Sequence, residues 1–281
     1  MYREHYGLLR TPFEMTPDPA FLYLGETHRE GLATLVYGVQ SGKGFVMLTG
    51  EVGTGKTTLL HALLGQLDAN TASAFLFNPK LEPLDFFRIL FDEYGIEKAC
   101  RTKAEYLLAL NHFLIERLAR NQKTLLIIDE AQTLSSAMLE EVRLLSNLET
   151  EREKLLQIVL TGQPELLRKL SEPSLRQLRQ RVALEHHVDS LHPQEIASYL
   201  EHRIEAAGGR FEHLFGAGAE SVFYEFSGGC PRLVNLLGDR ALLSAFAQNL
   251  RPVPFALLEQ KAKEMLAAKS PPAPGPSDEA D

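Results

Sequence analysis

The sequence predicts an α/β fold in which a five-stranded parallel sheet carries helices on both faces and is followed by a smaller all-helical region. Short apolar segments, typical of buried strands, alternate with helical segments as far as residue 190. A glycine-rich segment joins the first of these strands directly to a helix. Beyond residue 190 the apolar residues have helical spacing and no convincing strand pattern follows. Strands separated by helices of this length indicate a parallel sheet.

Local patterns predict the elements of the first region. Thr27 with Glu30, and Thr102 with Glu105, have the capping-box spacing that begins a helix. The second of these helices is expected to run to about residue 120. Short apolar runs, the last of them more polar than the others, predict five strands at 44–49, 74–77, 124–128, 155–160 and 182–188.

The chain is predicted to divide near residue 190. Residues 27–190 form the α/β domain, and residues 191–268 form a smaller all-helical domain with helices at about 192–207, 216–227, 231–248 and 254–267. Residues 1–26 contain several prolines and few helix signals, so we expect an irregular arm. Residues 269–281 are rich in proline and acidic residues, which predicts a disordered tail.

Composition limits the classes of protein to which the chain can belong. Its 281 residues, 44% of them hydrophobic, suffice for a substantial core. The formal net charge of −8 argues against a protein that coats nucleic acid. Cys100 and Cys230 match no zinc or redox spacing, and no segment is typical of a signal peptide or a membrane helix. We therefore expect a cytoplasmic protein.

A phosphate-binding motif follows the first predicted strand and opens a helix at 59–67. It has the pattern G-x-x-x-x-G-K-[ST], and we assign nucleotide contacts to it and to the next threonine: Gly50, Glu51, Val52, Gly53, Thr54, Gly55, Lys56, Thr57 and Thr58. Glycines let backbone N–H groups turn toward phosphate oxygens, and the helix N-terminus adds positive charge. Lys56 would reach the β- and γ-phosphates, and the Thr57 hydroxyl would bind Mg²⁺. The motif predicts ATP and Mg²⁺ as ligands.

Two adjacent carboxylates end the third predicted strand. Four apolar residues at 125–128 precede Asp129 and Glu130. The carboxyl ends of parallel strands are where such sheets bind ligands. Asp129 would hold the Mg²⁺ coordination shell through water, and Glu130 would act as general base toward the attacking water. The pair favours ATP hydrolysis over phosphoryl transfer to a metabolite.

Further polar residues could contact the γ-phosphate. At the end of the next strand, Thr161 or Gln163 could sense whether that phosphate is present. A guanidinium could stabilise charge on it, from the same chain or from a neighbouring subunit. The candidates are Arg176, Arg179 and Arg181, for which composition alone favours a solvated basic face, and Arg232, which follows a proline at a predicted helix start.

These motifs together resemble one family. The AAA+ ATPases of the ExeA/GspA type, the general secretion pathway protein A family, have segments similar to GEVGTGKTT, LLIIDEAQ, LTGQPEL, LRQRV and GGCPRLVN in this sequence. The opening segment fits the same family through Tyr6-Gly7-Leu8, Pro12-Phe13, Thr16-Pro17-Asp18-Pro19, Phe21-Leu22-Tyr23 and His28. The resemblance extends over residues 1–267. Related families include ATPases of MSHA-pilus loci and of PEP-CTERM or exopolysaccharide-export loci.

The resemblance implies the ASCE/AAA+ form of the P-loop fold and a set of residue roles. Arg232 would be the sensor-2 arginine, on the helical lid of the same subunit. Arg181, or else Arg179, would be the arginine finger that acts on a neighbouring subunit, and Gln163 would be sensor 1. The segment at 21–28 would flank the adenine. These roles imply a homo-oligomer, a ring or a dimer, with sites completed between subunits.

The resemblance also implies a physiological role. It indicates a Mg-ATP hydrolase that drives assembly or remodelling of a secretion, pilus or exopolysaccharide-export machine in the envelope. Larger members continue into a membrane helix and a periplasmic peptidoglycan-binding domain, so we expect a separate inner-membrane or envelope-assembly partner and a peripheral location at that membrane. One alternative is a nucleotide-gated interaction protein with little turnover. The other is a DNA-associated AAA+ regulator of the TniB/TnsC transposition type, with a basic patch of Arg168, Lys169, Arg176, Arg179 and Arg181.

Overall fold

The chain divides into two compact units. The computed structural model describes residues 2–16, 18–77, 82–151 and 153–268. Pro17 of the opening segment and the tail at 269–281, predicted to be disordered, lie outside these residues. We call Leu24–Asp189 the sheet unit, and Met1–Tyr23 together with Ser190–Asp281 the helical unit.

The sheet unit contains the parallel sheet that the sequence predicts, and the predicted fold class is confirmed. The strands are β1 (Phe45–Gly50), β2 (Ala72–Leu76), β3 (Thr124–Ile128), β4 (Gln157–Gly162) and β5 (Val182–Val188). They lie in the order β2-β3-β4-β1-β5, and each neighbouring pair is parallel. Because parallel neighbours need crossover connections, helices separate the strands along the chain. The carboxyl ends of β1, β3 and β4 therefore meet at one edge of the sheet.

Helices make up most of the remaining described chain. In chain order they are α1 (Tyr2–Tyr6), α2 (Glu26–Gln40), α3 (Lys56–Gln66), α4 (Pro83–Tyr94), α5 (Lys103–Ala119), α6 (Ser136–Leu145), α7 (Pro164–Leu170), α8 (Arg176–Arg179), α9 (Pro193–Ala206), α10 (Phe211–Leu214), α11 (Ala219–Ser227), α12 (Pro231–Ala247) and α13 (Phe255–Ala267). No helix within the described ranges combines the length and the apolar character needed to cross a membrane.

Apolar side chains cover both faces of the sheet because successive residues of a strand point to opposite sides. On β1, Phe45 and Met47 belong to the core that also contains side chains of α4, α5 and α6. Val46 and Leu48 belong to the core on the other face, with side chains of α2 and α3. Every residue of β3 is buried. Burial on both faces explains why these strands read as unbroken apolar runs in the sequence.

The N-terminal arm is more ordered than the irregular segment that the sequence predicts. Residues Tyr2–Tyr6 form α1, and Phe13 and Phe21 are buried in the core of the helical unit. The guanidinium carbons of Arg10 and Arg203 lie 4.8 Å and 4.9 Å from the centroid of the Phe21 ring. The burial of these aromatic side chains ties the arm to the rest of the helical unit.

One predicted helix start is confirmed and the other is wrong. Thr102 Oγ1 accepts a hydrogen bond from the backbone N–H of Glu105, and the Glu105 carboxylate accepts one from the backbone N–H of Thr102, both 3.3 Å long. In α2 the N-cap is Gly25, without a side-chain cap. Its carbonyl accepts the N–H of Arg29 at 2.9 Å, so Thr27 lies inside the first turn and cannot be its N-cap.

We predict that alanine at Gly229 destabilises the helical unit far more than alanine at Gly228. Their φ angles of 81° and 56° cost an alanine about 1–2 kcal/mol in either case. A Cβ at Gly229 would also lie 2.0 Å from the Leu191 carbonyl oxygen, whereas one at Gly228 would meet nothing within 4 Å. Urea unfolding should therefore show a loss of about 1–2 kcal/mol for Gly228→Ala and at least about 3 kcal/mol for Gly229→Ala. Equal losses would show that the Leu191 contact does not constrain this turn.

Candidate active site

The glycine-rich motif forms the turn between β1 and α3. Gly50 ends the strand, and the helix begins at Lys56 with Gly55 as its N-cap. Gly53 and Gly55 have φ angles of 85° and 99°, a region that favours glycine. The turn leads directly into a helix N-terminus, whose N–H groups lack helical partners and favour an anion.

Lys56 is buried within this turn. Its ammonium group donates hydrogen bonds to the carbonyl oxygens of Gly50, at 2.8 Å, and Glu51, at 2.9 Å. These contacts hold the charge beside the start of α3, where the helix dipole is also positive. The other motif residues surround it: Glu51 and Val52 are exposed, Thr54 is buried, and Thr57 and Thr58 are partly buried. The region therefore has the charge and the backbone geometry that suit phosphate.

His28 supports the turn from α2, and sequence reasoning did not assign it a role of its own. It is buried, and its Nε2 lies 2.7 Å from the carbonyl oxygen of Thr54. A Cβ at Gly55 would lie 3.2 Å from the same nitrogen. The segment at 21–28, which is expected to flank the adenine, is divided between the two units. Phe21 belongs to the helical unit, and His28 belongs to the sheet unit. No local pattern marks His28, because its contact is 26 residues away in the chain.

Asp129 is buried at the end of β3 and joins three parts of the sheet edge. Its Oδ2 accepts a hydrogen bond of 2.9 Å from the Thr57 hydroxyl. Its Oδ1 accepts one from the Thr161 hydroxyl, at the end of β4, and one of 2.9 Å from the backbone N–H of Glu130. The strand β3, the strand β4 and the start of α3 therefore meet at this carboxylate.

The donor set around Asp129 fits Mg²⁺. The two residues predicted as metal ligands, Thr57 and Asp129, have their oxygens in contact, and both are hard ligands. No group of three or more His, Cys, Asp or Glu residues within the described ranges could hold a metal by itself. Mg²⁺ bound with substrate phosphates commonly uses only one or two protein oxygens and keeps several waters.

Glu130 has an unusual backbone conformation for a residue with a side chain. Its φ is 53° and its ψ is 39°, in the left-handed region. Its Oε2 accepts a hydrogen bond of 3.1 Å from the Gln163 amide and another from the Gln132 amide. Sequence reasoning did not assign Gln132, although it belongs to the LLIIDEAQ segment. A non-glycine residue keeps this conformation only where the surrounding contacts hold it. Such residues cluster at functional sites.

The two residues considered as sensors contact different carboxylates. Thr161 donates to Asp129, and Gln163 donates to Glu130. Both contacts are possible because Thr161 and Gln163 lie at the end of β4, which is adjacent to β3 in the sheet. The geometry therefore connects the Gln163 side chain with the residue predicted to be the general base, and the Thr161 side chain with the residue predicted to hold the metal shell.

The arginines before β5 have partners within the sheet unit. Arg179 forms an ion pair with Glu185, and Arg181 donates to the Ser146 hydroxyl. The hydrogen bond from Arg143 lowers the pKa of the Glu140 carboxyl, and the charge of Arg181 lowers it further. Arg176 is exposed. None of these arginines contacts the carboxylates at the sheet edge through a hydrogen bond within the described chain.

Arg232 lies in the helical unit, in the first turn of α12. Pro231 is the first residue of that helix and Cys230 is its N-cap. The Arg232 side chain is exposed. Proline suits this position because it has no N–H to leave unpaired and its φ is already helical.

Comparison with known proteins agrees with the motifs. A family model described as AAA domain matches residues 39–170. The general secretion pathway protein A of Aeromonas hydrophila is 44% identical over 250 residues, which cover 88% of this chain and 45% of that protein. The chain thus spans less than half the length of this relative.

Solved structures share the fold at low sequence identity. ORC2 of Aeropyrum pernix, described as ADPNP-ADP complexes, has a TM-score of 0.71 and 19% identity over 92% of this chain and 73% of its own. Cdc6p of Pyrobaculum aerophilum has a TM-score of 0.72 and 17% identity, and the match covers 94% of this chain and 75% of that one. Drosophila ORC bound to DNA has a TM-score of 0.71 and 15% identity, and the match covers 94% of this chain and 66% of that one. These similarities show the P-loop ATPase fold alone. The 44% identity to the secretion protein, with the AAA domain match, confirms the resemblance, and the chain belongs to the AAA+ ATPases of the general secretion pathway protein A type.

Proposed function

We propose that the protein binds Mg-ATP at the edge formed by β1, β3 and β4 and hydrolyses it. The observation that carries this proposal is the hydrogen bond between Thr57 and Asp129, with Glu130 as the next residue. It joins the phosphate-binding turn to a pair of carboxylates. A phosphate-binding turn alone would support binding only. The adjacent carboxylates supply oxygen ligands for a metal and a base for water.

The proposed roles follow from these positions. Lys56 and the N–H groups at the start of α3 bind the β- and γ-phosphates. Thr57 and Asp129 hold Mg²⁺, which when bound neutralises phosphate charge. Glu130 orients the attacking water and accepts its proton. The water oxygen forms a bond to the γ-phosphorus, the bond from that phosphorus to the β–γ bridging oxygen breaks, and ADP leaves with the electron pair. The accepted proton passes to the phosphate or to solvent.

Sensing and assembly are further parts of the proposal. Gln163 reports the γ-phosphate to Glu130 because its amide reaches that carboxylate. Arg232 acts from the helical lid as sensor 2. Arg181 is the finger toward a neighbouring subunit in a homo-oligomer, in preference to Arg179. The preference rests on their contacts: Arg179 would leave the Glu185 charge unpaired, whereas Arg181 would leave only the Ser146 hydroxyl.

We further propose that the protein works with an inner-membrane or envelope-assembly partner and lies in the cytoplasm, peripheral to that membrane. The support is the 44% identity to a general secretion pathway protein A. The machine it would help to assemble or remodel is a secretion, pilus or exopolysaccharide-export machine of the envelope. Negligible turnover, as in a nucleotide-gated interaction protein, is disfavoured because a carboxylate stands beside the proposed metal ligands.

A DNA-associated role is the second candidate function. One of the three solved structures described above, that of Drosophila ORC, is bound to DNA. The basic patch that this role needs is largely engaged elsewhere. Lys169 donates to the carbonyl oxygens of Gln132, at 3.1 Å, and Leu134, and the contacts of Arg179 and Arg181 are those given above. The remaining candidates are the exposed Arg168 and Arg176.

The first test separates binding from chemistry. Removing the charge in Lys56→Ala should weaken ATP binding at least about tenfold, because a charge-assisted hydrogen bond is lost. Glu130→Gln should bind ATP within about twofold of wild type and hydrolyse it about 10²- to 10⁴-fold more slowly. Binding is measured by calorimetry and turnover by phosphate release, with Lys98→Ala as the surface control. Wild-type turnover in Glu130→Gln would exclude Glu130 as the base.

The second test addresses completion of the site by a neighbour. Arg181→Ala should bind ATP normally and hydrolyse it at least about tenfold more slowly, because transition-state charge is left unstabilised. Mixing it with Lys56→Ala should restore part of the activity, since each subunit supplies what the other lacks. Arg168→Ala serves as the matched control. Turnover per subunit that does not change with protein concentration, together with no recovery on mixing, would contradict the prediction.

The third test compares the two physiological roles. Double-stranded DNA should change the steady-state ATPase rate by less than about twofold at physiological salt, because each phosphate contact needs a free cation. The chain has 29 basic and 37 acidic residues, and its candidate basic patch is mostly engaged. The rate is measured with and without DNA across a salt series. Strong stimulation that fades steeply with added salt would instead favour the DNA-associated role.

A further inference from the structure

Gln132 connects Glu130 with the end of β4 through both ends of its amide. Its Nε2 donates to Glu130 Oε2, and its Oε1 accepts the backbone N–H of Gln163 at 3.2 Å. One end of the amide is thus fixed by the backbone directly after β4 and the other by the carboxylate. A rotation of the Gln132 side chain would break both hydrogen bonds, so the position of β4 sets the position of the Glu130 carboxylate.

The surroundings are shaped around this side chain. A Cβ at Gly162 would lie 2.5 Å from Gln132 Oε1, so a side chain there would exclude the amide. The backbone is tied down as well, because Lys169 of α7 donates to the Gln132 carbonyl oxygen at 3.1 Å. The amide therefore has little freedom to adopt another position.

The contacts distinguish the two oxygens of the Glu130 carboxylate. Oε2 accepts both amide hydrogen bonds, from Gln132 and Gln163. Among the described residues, no hydrogen bond reaches Oε1. An oxygen that already accepts two amide donors is a poor acceptor for a further proton, so Oε1 is the one that can take a proton from water.

The left-handed backbone of Glu130 adds a reason for such restraint. A residue with a side chain adopts φ near 53° only when its neighbours hold it there, at a cost of about 1–3 kcal/mol. The Glu130 carbonyl accepts the Thr133 N–H at 2.9 Å and the Thr133 hydroxyl at 2.8 Å, which fixes the backbone. The amides of Gln132 and Gln163 fix the side chain.

We propose that Gln132 is a positioning residue for ATP hydrolysis: its amide holds Glu130 by Oε2 and leaves Oε1 directed to the attacking water. The inference rests on the proposed function, in which Glu130 is the general base. Gln132 touches neither nucleotide nor metal in this scheme. Its loss should therefore change the rate of the chemical step and leave nucleotide binding intact.

The test is Gln132→Met, which keeps the length of the side chain and removes both amide hydrogen bonds. We expect kcat to fall about 10- to 100-fold, because misplacing a reacting group by about 1 Å has an effect of that size. KM and the Kd for ATP should stay within about twofold of wild type. The matched control is Gln66→Met, at an exposed glutamine in the last turn of α3, which should leave all three constants unchanged.

A second measurement separates positioning from a structural role. Single-turnover rates are compared for Gln132→Met in the wild-type and the Glu130→Gln backgrounds. Because Gln132 acts through Glu130, its substitution should have less than about a twofold effect once Glu130 is replaced. An equal effect in both backgrounds, or a matching loss of ATP affinity, would overturn the proposal, as would an unchanged or raised kcat in the single variant.

The outcome also tells this inference apart from the proposed function. If wild type shows no more turnover than Lys56→Ala, or if Glu130→Gln is fully active, the proposed hydrolysis or its base is wrong. If both behave as expected and Gln132→Met retains the wild-type kcat, only the role of Gln132 fails. Circular dichroism melts of each variant establish that the protein is folded.

Discussion

The parallel pairing of β1, β3 and β4 is the constraint on which the site depends. It is set by apolar residues buried on both sheet faces, so the polar groups can appear only where the strands end. Because these strands run in one direction, the glycine-rich turn, the Asp129–Glu130 pair and the Thr161–Gly162–Gln163 segment end at the same edge. Asp129 then accepts from the hydroxyls of both neighbouring segments. A strand reversed in this sheet would carry its polar end to the opposite edge, and no change of side chains could restore the site.

Donors and acceptors are distributed unevenly at this edge. The backbone turn and Lys56 contribute N–H groups and a positive charge, which suit phosphate. The strand ends contribute carboxylates, which suit a metal or a proton. The two kinds meet at the hydrogen bond between Thr57 and Asp129. Since a carboxylate and a phosphate repel each other, a cation between them lowers the energy of bringing both to one place. This distribution of charge supports the proposal that the nucleotide binds together with Mg²⁺.

Sequence reasoning reached the parts of the site that are local and missed those that are not. The phosphate-binding motif and the carboxylate pair are contiguous segments whose chemistry follows from order and spacing, as do the strands and the Thr102 cap. Gln132 and His28 act through contacts across 26 or more residues, or through a side chain whose direction the sequence does not fix. The Thr27 cap failed because the helix begins at Glu26, where the Gly25 carbonyl accepts the N–H of Arg29 and opens the first turn before Thr27. The arm appeared irregular because prolines are visible locally, whereas the burial of Phe13 depends on helices more than 190 residues away.

The shared oxygen of Glu130 suggests how nucleotide sensing and catalysis are coupled in the proposed scheme. Gln163 and Gln132 donate to the same atom, and the Gln163 backbone N–H also donates to Gln132. If the Gln163 amide turns toward a γ-phosphate, Oε2 loses one donor, but the carboxylate stays in place because the backbone N–H of Gln163, directly after β4, still holds Gln132. The sensor can therefore exchange partners without releasing the base. In the proposed scheme two glutamines would perform different tasks on one carboxylate: Gln163 would respond to the phosphate, and Gln132 would preserve the geometry in which that response has an effect.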